Sequence, residues 1–243
     1  MAFFHQAGKP RVADPAYRKF QRACLAACIV LAPVVLFLGF AVDPTGGLGV
    51  PENLHGVAAS LKAVSPLQIQ WFLYLNAVTV YFFPLSFIGL GLLAMRRSPW
   101  LATIGMIFGL AGSLPFGVFV VLEALAFRVA SSESTVAIFQ SVHTQGSIFL
   151  LAASWVVGHL VGYILTGMAL LRSRAIPWWA ASLFIVGIPF QAAGYGTRQN
   201  SLQLICFVLI FIGSIPAALA MLRRSGEAVP VPVREEGAAR SMS

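Results

Sequence analysis

Charge is scarce in this chain. Only 10% of its 243 residues are charged, and 58% are hydrophobic, whereas a soluble domain carries about 25% charged residues. A water-soluble core cannot bury so many apolar side chains, so a mean hydropathy of +0.84 predicts that the solvent is lipid. The sixteen basic residues outnumber the eight acidic ones. They flank apolar runs singly or in pairs, which favours membrane topology signals over a nucleic-acid partner.

Several catalytic and cofactor signatures are also missing. The chain has no Gly-x-x-x-x-Gly-Lys phosphate loop, no Gly-x-Ser-x-Gly elbow and no His-Glu-x-x-His pair. No lysine falls in a long apolar run, which excludes a buried retinal Schiff base. The three cysteines are odd in number and predict no disulfide framework. The sequence therefore predicts no cofactor and no metal centre.

Six apolar runs approach or exceed the roughly 20 residues that a helix needs to cross a bilayer. They predict an all-α, polytopic membrane helix bundle with six transmembrane spans in one domain, residues 1–222, followed by a disordered cytoplasmic tail at 223–243. The first run is interpreted as an uncleaved span, because no clear small-x-small cleavage site follows it. The predicted spans are residues 24–42, 67–95, 100–127, 147–171, 177–195 and 202–222.

The basic residues predict the orientation of these spans. With a cytoplasmic N-terminus, only three of the sixteen lie outside, namely Lys62, Arg128 and Arg198. This positive-inside bias predicts that both termini are cytoplasmic and that the protein lies in the cell (cytoplasmic) membrane. The other thirteen are Lys9, Arg11, Arg18, Lys19, Arg22, Arg96, Arg97, Arg172, Arg174, Arg223, Arg224, Arg234 and Arg240.

Two hairpins have similar sequences. Gly89–Trp100 and Gly167–Trp178 each combine the end of an apolar run, a basic turn and a Pro-Trp pair. This similarity indicates either a parallel duplication of spans 2–3 and 4–5 or the common features of any such hairpin.

The second of these turns carries a family resemblance. The segment Leu170–Ala180 (Leu-Leu-Arg-Ser-Arg-Ala-Ile-Pro-Trp-Trp-Ala), together with His143–Gly146 before span 4, resembles a class of uncharacterised bacterial membrane proteins with about six helices and a domain of unknown function. The resemblance covers residues 70–222. It implies a bacterial multi-pass protein and no particular activity.

Small residues recur every fourth position in spans 3 and 4, which places each set on one stripe of its helix. Close backbone approach favours helix association in lipid, so spans 3 and 4 are predicted to pack along these stripes. A homodimer seam is the alternative. The stripes are Gly105, Gly109, Ser113 and Gly117 in span 3, and Ser154, Gly158, Gly162 and Thr166 in span 4.

Polar residues inside the spans are the candidate functional groups, because such groups are costly in hydrocarbon and tend to face the interior. Asn76, Glu123 and Gln191 share the outer half of the membrane in the predicted topology, with His143 at its outer surface. Glu123, the only acid inside a predicted span, is interpreted as a proton, cation or ligand anchor, or as an interfacial carboxylate paired with Arg128.

A histidine stripe completes the set of candidates. His159 lies near the middle of span 4, with Trp155 and Tyr163 four residues to either side. This spacing predicts either an aromatic ligand cleft or a histidine that is hydrogen-bonded to a neighbouring helix. His143 and His159 are about 24 Å apart along the helix, so they cannot share one haem iron.

These features favour a non-enzymatic protein that binds, transports or senses a small molecule through an outward-opening polar pocket. The lipid bilayer is its first partner, and a small-molecule ligand, a homo-oligomer or a membrane partner is also compatible with the pattern. One alternative is a membrane redox or metal-dependent enzyme that uses His143 and Glu123. Another is a structural or accessory subunit of a membrane complex.

Overall fold

The protein is described by a computed structural model for residues 15–44, 64–129, 146–197 and 199–223. These residues form seven α-helices and no strand, which confirms the all-α class. The helices are α1 (Pro15–Ala41), α2 (Pro66–Ala94), α3 (Pro99–Ser113), α4 (Phe116–Val129), α5 (Gly146–Ser173), α6 (Trp178–Thr197) and α7 (Asn200–Arg223). Of the tail predicted at 223–243, Arg223 ends α7, and residues 224–243 lie outside the described residues.

Proline and serine set several helix boundaries. The Ser65 hydroxyl accepts a hydrogen bond from the Gln68 N–H, and Pro66 follows at the first helical position of α2. Proline suits this position because the first amides of a helix have no intrahelical partner. Pro99 begins α3 and Pro177 immediately precedes α6 in the same way.

Two helices differ in extent from the predicted spans. The third span corresponds to one stretch that is long and apolar enough to cross a membrane, Pro99–Leu125, but its helix is interrupted at Leu114 and Pro115, between α3 and α4. Proline lacks the N–H that would continue the helical ladder, and Pro115 instead accepts the Val118 N–H at the start of the next turn. In addition, α1 begins at Pro15, nine residues before the predicted start of the first span.

Five stretches are long and apolar enough to cross a membrane: Ala16–Ala41, Pro66–Ala94, Pro99–Leu125, Gly146–Ser173 and Asn200–Arg223. The chain therefore has the make-up of a multi-pass membrane protein. Helix α6, with 20 residues, is not among the five.

Six helices pack in chain order and close into a ring, and α2 also contacts α4, α5 and α7. Helix α1 packs on α2, α3 packs on α2 and α5, α6 packs between α5 and α7, and α7 returns to α1. Side chains join the ends of neighbouring helices: Gln68 at the start of α2 donates to the Val42 carbonyl beyond α1, and Asn200 at the start of α7 donates to the Phe40 carbonyl. Helix α1 therefore runs antiparallel to both α2 and α7.

The closest helix contact is between α3 and α5, as the small-residue stripes predicted. A Cβ at Gly162 would lie 2.6 Å from the Gly109 Cα, and one at Gly105 would lie 2.8 Å from the Thr166 nitrogen. One detail differs from the prediction: Gly112, rather than Ser113, meets Gly158.

Gly117 of the span 3 stripe lies away from that crossing. A Cβ at Gly117 would face Val80 of α2. The hydroxyl of Ser113 donates to the Leu110 carbonyl of its own helix. The stripe thus continues past the α3–α5 contact without taking part in it.

Candidate functional site

The centre of the ring contains an aromatic cluster built on α5. Trp155, His159 and Tyr163 lie one turn apart on the same stripe of this helix, and the ring centroids of Trp155 and His159 are 5.4 Å apart. His159 and Tyr163 are each 1% exposed. The sequence predicted this stripe, and the structure shows that it faces inward.

Aromatic rings from three other helices enclose the stripe. Helix α4 stacks rings on Trp155, α2 covers His159 and Tyr163, and α6 contributes a ring at each end of the stripe. These residues are Phe116 and Phe119 from α4, Phe83 and Phe87 from α2, and Phe184 and Tyr195 from α6.

Gln191 connects the cluster to α7. Its amide nitrogen lies 3.2 Å from the Tyr195 hydroxyl, and its carbonyl oxygen accepts from the Cys206 thiol at 3.5 Å. Tyr195 in turn touches both His159 and Trp155, with ring centroids 6.2 and 5.6 Å away. Of the three residues predicted to share an outer pocket, Gln191 is therefore the one that reaches the aromatic cluster.

Two polar atoms in this cluster have no hydrogen-bond partner among the described residues. They are Nε1 of Trp155 and Nε2 of His159, and both are buried. Gln191 lies close to the imidazole, but it completes no hydrogen bond to Nε2. An unpartnered buried polar group costs about 1–3 kcal/mol, so two of them side by side require an explanation.

The hydrogen-bonding capacity of these two atoms follows from their chemistry. Nδ1 of His159 contacts the carbonyl oxygen of Trp155, and a carbonyl only accepts, so Nδ1 carries the proton in the neutral ring. Nε2 then offers a lone pair, while the indole Nε1–H can only donate. The interior therefore presents one acceptor and one donor, one helical turn apart and walled by aromatic rings.

Glu123 lies on the inward stripe of α4, four residues beyond Phe119, which touches Trp155. Its side chain is half-buried. Asp43, just beyond α1, lies close enough to interact with it electrostatically. The two acids of the described residues are therefore neighbours near the Thr197 end of the ring, one turn beyond the aromatic cluster.

The other candidates lie elsewhere. Asn76 is buried between α1 and α2, where its side-chain oxygen would lie 3.2 Å from a Cβ at Gly39. His143 lies outside the described residues. Within the described ranges, no three His, Cys, Asp or Glu side chains gather in a way that could hold a metal ion.

Sequence reasoning missed three participants: Tyr195, Cys206 and Gln203. Tyr195 follows Gln191 by four residues, so their shared face was readable from the spacing. Gln203 is 1% exposed, and its side-chain oxygen has no described partner. Cys206 entered the sequence analysis only as one of three cysteines without a disulfide framework, because a cysteine in an apolar helix carries no signal for the amide that it meets on α6.

Most hydroxyl groups in the helices are already satisfied. They donate to a carbonyl three or four residues earlier in their own helix, as serine and threonine do in apolar surroundings. Thr166, Asn200 and Gln203 each also have one buried side-chain oxygen without a described partner, but Trp155 and His159 are the two such residues whose rings contact each other. The hydroxyls that bond within their own helix include Thr79, Ser86, Ser113, Ser154, Ser173 and Ser214.

No protein-family model, curated protein or solved structure matches this chain.

Proposed function

We propose that this chain is a six-span protein of the cytoplasmic membrane that binds a small molecule in its aromatic interior. Both termini lie in the cytoplasm. Its membership of the bacterial six-helix class with the basic turn and Pro-Trp remains a prediction from Leu170–Ala180.

The sixth crossing in this proposal is α6. Its 20 residues span about 30 Å, the thickness of the hydrocarbon core. It packs between α5 and α7, both of which have spanning length and composition. A Cβ at Gly194 would meet Gln203, and a Cβ at Gly213 would meet the Ala180 carbonyl, so α6 runs antiparallel to α7 along its length.

Thiol labelling in intact cells tests this orientation. Arg97 and Thr197 are exposed and lie at opposite ends of the ring. We expect a cysteine at Thr197 to react with a membrane-impermeant maleimide, and a cysteine at Arg97 to react only after permeabilisation. Each variant is made with Cys24, Cys28 and Cys206 replaced by alanine or serine. Labelling of Arg97→Cys in intact cells would contradict the orientation.

The binding function rests on one observation, the unpartnered pair Nε1 of Trp155 and Nε2 of His159. A ligand hydroxyl or amine can accept from the indole and donate to the imidazole, which would remove both desolvation costs. Flat apolar parts of the same molecule would stack on the surrounding rings. The carboxyl groups of Glu123 and Asp43 lie one turn further out and offer no positive charge to an anion, so the site suits a neutral or cationic molecule better than an anionic one.

A thermal-shift screen of the detergent-purified chain tests this function. Probes are small neutral and cationic aromatic alcohols and amines. A ligand at 100 times its dissociation constant stabilises the folded state by about 2.7 kcal/mol, so we expect some probes to raise the Tm of the wild type and not that of His159→Phe. Ser154→Ala is the matched control on the same helix, because the Ser154 hydroxyl bonds only its own backbone at Leu151.

Two outcomes would count against this function. Probes that raise the Tm of wild type and His159→Phe equally would show binding elsewhere. The absence of any stabilising probe across both chemical classes would remove the support for an interior ligand.

A further inference from the structure

A groove lies at the end of the ring opposite to Glu123. It forms where the turn between α5 and α6 meets the last two turns of α7, and its volume is about 460 Å³. It is open to the surroundings, with buried Ile176 at its base and exposed Leu219 and Arg223 at its rim. The lining residues are Ala175, Ile176, Pro177, Pro216, Leu219, Ala220 and Arg223.

The charge around this groove is of one sign. Both acids of the described residues, Asp43 and Glu123, lie near the opposite end. An anion at the groove would therefore meet guanidinium and ammonium groups and no described carboxylate. The described basic residues at this end are Arg18, Lys19, Arg22, Arg96, Arg97, Arg172, Arg174 and Arg223.

Two exposed tryptophans indicate the level of the groove in the membrane. Trp178 directly follows the groove residue Pro177 and is 76% exposed, and Trp100 at the equivalent start of α3 is 82% exposed. Exposed tryptophans of membrane proteins concentrate at the level of the lipid headgroups. The rim at Arg223 therefore lies near the headgroups, while Pro216 and Leu219 extend towards the hydrocarbon.

The N-terminus of α6, beside the groove residue Pro177, adds positive electrostatic potential to the groove. The first hydrogen bonds of α6 run from the amides of Ala180 and Ala181 to the Pro177 carbonyl. The amides of the preceding tryptophans belong to the first turn, which has no intrahelical acceptor and carries the positive end of the helix dipole. This adds to the attraction of Arg223 for a phosphate.

From this geometry we infer that the groove binds an anionic phospholipid of the cytoplasmic leaflet. The phosphate lies at Arg223, and one acyl chain follows the apolar surface of Pro216, Leu219 and Ala220. The inference rests on the proposed membrane orientation and is independent of the interior site at His159.

Native mass spectrometry of the detergent-purified chain with added phosphatidylglycerol or phosphatidylcholine tests this site. We expect the wild type to retain phosphatidylglycerol preferentially. A basic group near anionic lipid contributes about 1 kcal/mol, or about fivefold in affinity, so a lipid titration of Arg223→Gln should give an apparent affinity about fivefold lower. Arg97→Gln makes the same charge change at the same end of the ring but outside the groove, and should retain the lipid.

A second variant tests the acyl-chain part while keeping every charge. Ala220→Phe fills the groove, and we expect it to lose phosphatidylglycerol as Arg223→Gln does, with the Tm in lipid-free detergent as the check on folding. Glycerol 3-phosphate carries the headgroup chemistry without the chains and should not compete at equal concentration. Equal losses in Arg223→Gln and Arg97→Gln, or full competition by glycerol 3-phosphate, would overturn the inference. His159→Phe should leave lipid retention unchanged, so failure of the interior site is separable from failure of this one.

Discussion

Alanine at Gly158 is expected to destabilise the folded chain by about 1–3 kcal/mol, the usual cost of an extra methyl in a filled contact. A Cβ there would lie 2.7 Å from both the Cα and the nitrogen of Gly112 and 3.1 Å from the Phe108 carbonyl oxygen. These are backbone atoms, so no side chain can rotate away and the two helices must separate. Since small residues hold membrane helices together through close backbone contact, the loss should extend along the α3–α5 crossing.

The same substitution at Gly196 should have the opposite sign. No heavy atom outside its local backbone lies within 4 Å of a Cβ at this position, and alanine is favoured over glycine inside a helix by up to about 1 kcal/mol. Thermal or denaturant unfolding of Gly158→Ala and Gly196→Ala in one detergent measures both effects. Equal and small changes in the two variants would show that the α3–α5 contact is not as close as described.

This crossing shows how far the residues alone predict the fold. A repeat of four among small side chains places them on one stripe, and the absence of a hydrophobic effect between helices in lipid makes such a stripe a contact surface. The contact at Gly112 instead of Ser113 follows from 3.6 residues per turn: a position seven residues after Gly105 returns to within about 20° of it, whereas one eight residues after it lies about 80° away. A strict spacing of four therefore named the wrong residue at this level of the contact.

The candidate site was predictable only in part, because residue spacing shows which side chains share a helix face but not which helices meet. The stripe of Trp155, His159 and Tyr163 follows from positions on one helix. The hydrogen bond between Cys206 and Gln191 links α7 to α6. The relative position of these two helices along their axes depends on the close approach of Gly187 and Gly194 to α7. Depth along the membrane placed Asn76 and Gln191 at one level, but the sequence did not indicate which helices are neighbours around the ring.

Replacing His159 should separate its packing from its polar role. Alanine would leave a cavity among Phe83, Trp155 and Tyr195, whose ring centroids lie 5.9, 5.4 and 6.2 Å from that of the imidazole. Truncation of a buried ring costs about 3–5 kcal/mol, so we expect His159→Ala to unfold at a much lower temperature than the wild type. Phenylalanine fills the same space and removes the unpartnered Nε2, so the stability of His159→Phe should stay within about 1 kcal/mol of the wild type.

The comparison is informative because a structural histidine and a ligand-binding histidine predict different results for phenylalanine. If the imidazole were held by a polar partner within the folded chain, removing it would strand that partner and lower the stability of His159→Phe by about 1–3 kcal/mol. If Nε2 is kept unpartnered for a ligand, the loss appears only when ligand is present, as a missing rise in Tm. Unfolding of wild type, His159→Phe and His159→Ala without ligand therefore decides between the two roles, and a large loss in His159→Phe would identify the histidine as structural.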